Sequence, residues 1–323
     1  MKHDKTAHAA KGRWRGILQH FGVPAKHLDG KQHACPLCGG KDRWRFDDLE
    51  GRGTSICNQC GARDGAALVV ELTGRGYGDV LGEIDGLVGN IKAEDPRPQI
   101  DPGKRENMLR EVYLASKPIA PGDLAHRYLE GRHIAERVYP DTLRFAPKLA
   151  DGEGGIRPCM VAMVGIHGDL RPNGRQRYVT MHRTFLRPDG SGKAEMASPR
   201  KMMPGAVPDG ACVMLSDWPG YGPIGIAEGI ETAMSASALF DMPVWAALNA
   251  TMMEKWLPPA GADEVAIFAD NDENFRGLRA GAILANKLKS RPEYEGLTVN
   301  LHLPKLAGTD FADEWTQHIG GKA

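Results

Sequence analysis

The 323 residues contain no apolar run of membrane-spanning length, and the charged N-terminus lacks the apolar core of a signal peptide. No membrane or secretory role is expected, and a reducing cytoplasm is the default compartment. Net charge is also absent: 41 basic residues balance 41 acidic ones, so overall charge points to no partner. The phosphate-loop pattern G-x-x-x-x-G-K-[ST] is missing. Its nearest approach, Gly39-Gly-Lys-Asp42, has neither the spacing nor the hydroxyl, so no nucleotide-driven motor is expected within these residues. Cysteine is scarce, six in all. Two of them, Cys159 and Cys212, have no metal-ligand spacing and read as small buried residues.

The other four cysteines are the strongest signal in the chain. Cys35, Cys38, Cys57 and Cys60 form two C-x2-C pairs separated by 18 residues. Each pair can turn two sulfurs toward one tetrahedral ion, and the interval is long enough for a short hairpin. One structural zinc per chain is expected; two disulfides or four free thiols are the alternatives. A closed four-thiolate site has no open position for chemistry, so it would present a surface. Between the knuckles runs Arg43-Trp44-Arg45-Phe46. In a strand, Trp44 and Phe46 would share one face and Arg43 and Arg45 the other. The arginines suit contact with single-stranded nucleic acid; the aromatics suit either base stacking or the ribbon's own core.

Charge is unevenly placed along the chain. Residues 1–63 hold 12 Lys and Arg against 6 Asp and Glu, and residues 171–201 hold 8 against 2. Residues 263–273 hold five acids and no base. Two basic stretches and one acidic cluster suit a protein that holds polyanions and also needs a divalent cation. The second basic stretch supplies Arg171, Arg175, Arg177, His182, Arg183, Lys193, Arg200 and Lys201 as candidates for phosphate contact, each of which can equally be a solvated surface charge.

Length and punctuation suggest several domains. The expected divisions are 1–93, a proline- and charge-rich linker at 94–104, a mixed α/β basic segment at 105–221, and an α/β domain at 222–323. Trp14, Ile17, Leu18 and Phe21 are spaced for one helix face. After Gly222, short apolar runs (224–227, 244–248, 265–269, 297–303) alternate with helical stretches (230–240, 277–289), which implies a parallel sheet. Sites in such sheets lie at the carboxyl ends of strands. Glu228 and the pair Asp270 and Asp272 stand at two such ends, where carboxylates can bind Mg²⁺ through oxygen.

At this point the residues carry a resemblance. Ile226-Ala-Glu-Gly-Ile-Glu-Thr-Ala233, Val265-Ala-Ile-Phe-Ala-Asp-Asn-Asp272 and Gly308-Thr-Asp-Phe-Ala-Asp313 resemble the motifs of a Toprim domain. The ribbon ahead of it resembles the zinc-binding domain of phage, prophage and plasmid DNA primases. Tyr128-Leu-Glu-Gly-Arg132, Leu143-Arg-Phe145, His182-Arg-Thr-Phe-Leu186 and Gly192-Lys193 resemble the segment before Toprim in that group. The likeness spans Gln32 to Trp315. It implies synthesis of short RNA primers from ribonucleoside triphosphates on a single-stranded DNA template, with a replicative helicase on a separate chain and a role in mobile-element DNA replication. It also implies Mg²⁺ or Mn²⁺ at Glu228, Asp270, Asp272 and Asp310, with Glu228, Asp270, Asp272 and Arg183 as catalytic residues. Arg43, Trp44, Arg45, Arg175, Arg177, Arg183, Lys193 and Lys201 are the residues expected to meet nucleic acid or nucleotide. The sequence departs from the family's pattern at Thr232, where many primases carry an acid; Glu231 is the expected substitute. A Toprim nuclease using the same acids, and a non-catalytic DNA-binding regulator, are the competing readings.

Overall fold

The structure, a computed structural model, describes residues 2–94, 101–196, 198–205 and 207–320. Most of the linker expected at 94–104 falls on residues 95–100, outside the described residues. The chain divides into two compact units, Met1–Gln99 and Ile100–Ala323. Among the described residues, no helix is long and apolar enough to cross a membrane.

The first unit is built around a four-stranded antiparallel sheet, β1 (His33–Cys35), β2 (Gly39–Phe46), β3 (Ser55–Cys57) and β4 (Gly61–Arg63), in sequential order. Before it lie α1 (Lys2–Ala10) and α2 (Trp14–His20), and after it α3 (Gly65–Thr73) and α4 (Tyr77–Val88). The helix expected from Trp14, Ile17, Leu18 and Phe21 is α2, which ends at His20 with Phe21 as its C-cap. The first three side chains enter one core with Leu68, Val69, Val80 and Ile84, and Phe21 packs half-buried against it. Trp44 and Phe46 of β2 point into the same core, 1% and 0% exposed. Trp14 lies so close to the chain that a Cβ on Gly53 or Gly65 would stand 2.4 or 2.2 Å from its ring. Only glycine admits that approach at both positions.

The second unit joins two sheets. The middle segment contributes α5 (Pro102–Leu114), β5 (Lys117–Pro118), α6 (Leu124–Glu130), β6 (Leu143–Ala150), β7 (Ile156–Leu170), β8 (Gln176–Phe185) and β9 (Arg200–Met202). Its five strands pair antiparallel in sequential order. The C-terminal segment contributes β10 (Gly222–Ala227), α7 (Ile230–Phe240), β11 (Val244–Ala246), α8 (Ala250–Lys255), β12 (Ala262–Phe268), α9 (Arg276–Ser290), β13 (Thr298–His302) and α10 (Phe311–Gly320). Its four strands are parallel in the order β11-β10-β12-β13.

Helices cover both faces of the parallel sheet, so the carboxyl-end halves of its central strands, Ile224–Ala227 and Val265–Phe268, are buried on every residue. Ala227, Ala246, Ala266 and Phe268 pack with Ile230, Ala233 and Phe311 of α7 and α10. Ile224, Ile226, Val265 and Ile267 pack on the other side with Ala250, Ala280, Leu284 and Leu288 of α8 and α9. The antiparallel sheet is two-sided as well. Met160, Ala162 and Val164 of β7 belong to the core shared with α7, whereas Cys159, Val161 and Met163 form a separate core with Val112 of α5. The middle and C-terminal segments therefore share one hydrophobic core.

The first unit depends on Trp14, which no smaller side chain can replace without a void. Trp14→Ala should destabilise it by about 3–5 kcal/mol. Hydrogen exchange on the full chain should show lost protection in α2, α3 and the ribbon strands, with the parallel sheet unchanged.

Candidate active site and zinc centre

The four cysteines converge. Their Sγ atoms all lie within 4.8 Å of one another, with Cys35 to Cys60 at 3.9 Å and Cys38 to Cys57 at 3.7 Å. Sulfurs about 2.3 Å from a common centre stand about 3.8 Å apart at tetrahedral geometry. Backbone N–H groups of Leu37 and Gln59 point at Cys35 Sγ and Cys57 Sγ, at 3.4 and 3.3 Å. Burial and the neighbouring thiols push Cys60 upward, so a cation beside it would be needed to hold it as a thiolate. The donor set fits one structural zinc held by Cys35, Cys38, Cys57 and Cys60.

The β2 alternation follows the expected parity, and it takes Trp44 off the strand face expected to meet nucleic acid. Its ring is buried in the ribbon core, 6.4 Å from that of Phe46, so it offers no face for a base. Arg43 and Arg45 lie on the outer side, half-buried. Arg45 is bound to Asp47 at 2.5 Å.

The acids gather at the carboxyl edge of the parallel sheet. Glu228 follows β10, and Asp270 and Asp272 follow β12. Asp310 caps α10, its Oδ1 accepting from the N–H groups of Ala312 and Asp313 at 2.8 and 3.0 Å. Asn271 brings Asp310 to the group. Its backbone exchanges hydrogen bonds with Thr309 and Gly308 at 3.0 and 2.7 Å, and its side chain donates to Pro304 and Leu306 carbonyls. Gly277 lets α9 close on the cluster, since a Cβ there would meet Asp270 backbone at 2.4 Å.

Burial and the charges of Glu228, Asp310 and Asp272 push Asp270 up to about 8. Burial also raises Glu228, against the attraction of Arg276, and burial raises Asp310. Asp270 Oδ1 is buried with no hydrogen-bond partner among the described residues. Crowded carboxylates with an orphaned oxygen fit a hard divalent cation such as Mg²⁺. Unlike the cysteines, these acids do not close into a tight cage, which suits an ion that keeps several waters. Glu228, Asp270, Asp272 and Asp310 are the residues that could hold it.

Strand parity sorts the basic residues. In the antiparallel sheet His182 pairs with Ala162, Arg183 with Val161, and Arg200 with Thr184. His182 and Arg200 therefore lie on the face turned to the shared core and the acids. Arg183 and its partner Lys201 lie on the opposite face. Arg183, expected to be catalytic, stacks over Phe185 at 5.7 Å, and its buried Nε has no partner among the described residues. Lys201 is tied to Glu153 at 2.7 Å and to the Asp151 carbonyl at 2.8 Å. Neither points at the acids in this structure, because neighbouring residues of a strand face opposite ways.

The charge of Arg200 acts on both Glu228 and Asp270. The residue is exposed and makes no ion pair among the described residues. In sequence it was one of eight cations in a basic stretch; its parity on β9 is what sets it apart. His182 is 7% exposed, and burial beside Arg200 lowers it to about 4, so the ring is neutral at pH 7. Arg175 and Arg177 flank the start of β8 beyond the Asn173-Gly174 turn, and Arg177 stands 3.7 Å from Asp169.

Lys193, expected to meet nucleotide, is instead engaged by Glu231 at 3.0 Å. Glu231, expected to stand in as a metal ligand, also accepts a hydrogen bond from Tyr128 Oη. Burial alone would raise its carboxyl, but the Lys193 ammonium and the Tyr128 bond outweigh it and hold the group at about 2. Thr232, at the position where an acid was expected, contacts Asp310 Oδ2 at 3.5 Å.

Two measurements check these centres. Cys57→Ala should release the zinc and melt β1–β4, because metal binding supplies most of the folding free energy of so small a unit; metal analysis and hydrogen exchange read both effects. At about pH 9, where Asp270 is ionised in the metal-free fold, Asp270→Asn should raise the melting temperature by relieving repulsion. Calorimetry with added Mg²⁺ should then stabilise the wild type and leave the variant nearly unmoved.

Comparison with known families matches this architecture by segment. Residues 30–66 match a zinc-binding domain of primase-helicase, residues 223–320 match a Toprim domain, and residues 103–214 match a domain of unknown function. Similar solved structures include the primase fragment of the bacteriophage T7 primase-helicase protein (14% identity over 91% of this chain and 98% of that one, TM-score 0.38). They also include the zinc-binding and RNA polymerase domains of the Aquifex aeolicus primase (13%, 99% and 83%, TM-score 0.34) and a DnaG catalytic core (12%, 67% and 74%, TM-score 0.38). The domain matches carry the assignment, and these distant likenesses do not. The chain thus carries a zinc-binding domain of the primase-helicase kind ahead of a Toprim domain, and in that pairing it is similar to primases with an N-terminal zinc ribbon and a C-terminal Toprim domain.

Proposed function

We propose that this protein is a DNA primase that makes short RNA primers on single-stranded DNA by nucleotidyl transfer. The observation that carries the reading is the union, in one chain, of a primase-helicase zinc-binding domain with a Toprim domain. Ribonucleoside triphosphates would be the substrates. A replicative helicase on another chain, and a phage or plasmid setting, complete the proposal.

The acids suit this chemistry. A divalent cation held by Glu228, Asp270, Asp272 and Asp310 would lower the pKa of a primer 3′-hydroxyl and stabilise charge on the attacked phosphate. The protein's own groups do the rest. Arg200 and Arg276, whose charges act on Glu228, would supply counter-charge to a triphosphate once the acids are occupied. His182, neutral and buried on the same face, can offer one ring nitrogen as donor or acceptor and no charge. On the ribbon, Arg43 and Arg45 are the groups suited to the template's phosphates, and Trp44 serves by holding the strand that carries them.

A primer-synthesis assay on defined single-stranded templates, with labelled ribonucleotides and a Mg²⁺ and Mn²⁺ series, tests the reading. Glu228→Ala and Asp270→Ala should abolish products while leaving DNA affinity nearly intact, because template binding comes from contacts to phosphates. Shortened template in place of primers would establish a nuclease instead. Wild-type yield from either variant would refute the acid site.

A further inference from the structure

The pairing of Glu231 with Lys193 and Tyr128 leaves Glu228 with an unusual support. Gly229 alone separates Glu228 from α7. It adopts φ −102° and ψ 160°, and no side chain caps the helix at that point. The Gly229 carbonyl accepts from Ala233 N–H at 2.9 Å, which ties the residue after Glu228 to α7. The Glu228 carboxylate accepts from the Ala250 backbone N–H. The aim of that carboxylate therefore depends on where α7 and the start of α8 are held. The next turn of α7 is held from outside. Glu231 is 8% exposed at its side chain and Tyr128 is 2% exposed. Both donors meet the same oxygen, Oε1, one from α6 and one from the loop after β8, where Lys193 bridges to Leu186. Thr232, the following residue, reaches Asp310. One helical turn thus connects the middle segment to two of the four acids.

We propose that Tyr128, Lys193 and Glu231 form a buried lock that positions Glu228, and through Thr232 also Asp310, for divalent-cation binding. They are positioning residues and touch neither ion nor substrate. The proposal rests on the reading of Glu228 as a cation ligand. It also accounts for the departure at position 232: the charge that sits at 231 belongs to the link between segments and not to the metal shell. The same link seats the loop that leads into β9 and Arg200, because Lys193 anchors that loop seven residues before Arg200.

The sign of an electrostatic effect separates a lock from a bystander. If Lys193 were only a positive charge near the acids, removing it would tighten cation binding, since like-sign repulsion would fall. If it positions Glu228, removing it weakens binding although the site becomes more negative. The experiment is Mn²⁺ titration of the zinc-loaded full chain by electron paramagnetic resonance, with no DNA or nucleotide present. Lys193→Met should weaken Mn²⁺ binding by about tenfold, as expected for groups behind a metal ligand. Tyr128→Phe should weaken it less, and Lys193→Arg should restore most of the affinity.

Equal or tighter Mn²⁺ binding by Lys193→Met would overturn the proposal. If that variant does not fold, because Glu231 is left as an unpaired buried charge, the double variant Lys193→Met with Glu231→Gln carries the same comparison. It leaves no unpaired buried charge and no change in local net charge, and unchanged affinity there would overturn the lock equally. The primer assay is read separately. Primers with an unmoved Mn²⁺ affinity sink the lock and keep the function; weakened affinity with no primers from the wild type does the reverse.

Discussion

Half-buried carboxylates gathered at one edge of a sheet are the constraint on which the rest of the second unit depends. Asp270, Glu228 and Asp310 are each raised by burial, and the charges of Glu228, Asp310 and Asp272 add to the effect on Asp270. Such a group is unfavourable by itself, and the fold maintains it with stronger local devices. The parallel strands end together and deliver the acids to one edge. Gly277 lets a helix lie against Asp270 where a side chain would collide. Asn271, between the two aspartates, ties down the loop that carries Asp310. Each device holds the carboxylates in an arrangement whose mutual repulsion a divalent cation would relieve.

The middle sheet adds basic groups to this arrangement. Its two faces do different work. One is packed with α7 in a shared core and presents His182 and Arg200 toward the acids; the other is closed over by α5 and holds Arg183 above Phe185. A strand offers every second residue to each face, so a basic stretch contributes only part of its charge to any one site. The eight cations of residues 171–201 are accordingly dispersed: some into ion pairs with Asp169, Glu153 and Glu231, and Arg200 into the acid cluster's field.

In the ribbon the same economy of size explains why its aromatics are inward. Four strands of three to eight residues cannot enclose much apolar surface. Trp44 and Phe46 supply it, together with Trp14 from a neighbouring helix, and the four cysteines add a donor set that fits one zinc. The outward side of β2 is left to Arg43 and Arg45. Surface for a partner and core for stability are thereby divided between alternate residues of a single strand.

Local chemistry was enough to read much of this from the sequence. The cysteine spacing defined the ribbon, and the residues of α7, Ile230–Phe240, were legible because an apolar stripe followed a strand and ended at a turn. The acids at strand ends were legible for the same reason. Other helices were hidden by their composition: α4 carries glycines at 78, 82 and 86, which weaken its helical signal, and α8 is only six residues long. What only the tertiary structure decided is which face of each element is covered. Whether Arg183 or His182 meets the acids depends on which side of the middle sheet the parallel sheet packs against. Whether Glu231 binds metal or Lys193 depends on a contact between residues 38 positions apart. Period and spacing along a chain determine which residues share a face; burial of that face against a distant element determines what they do.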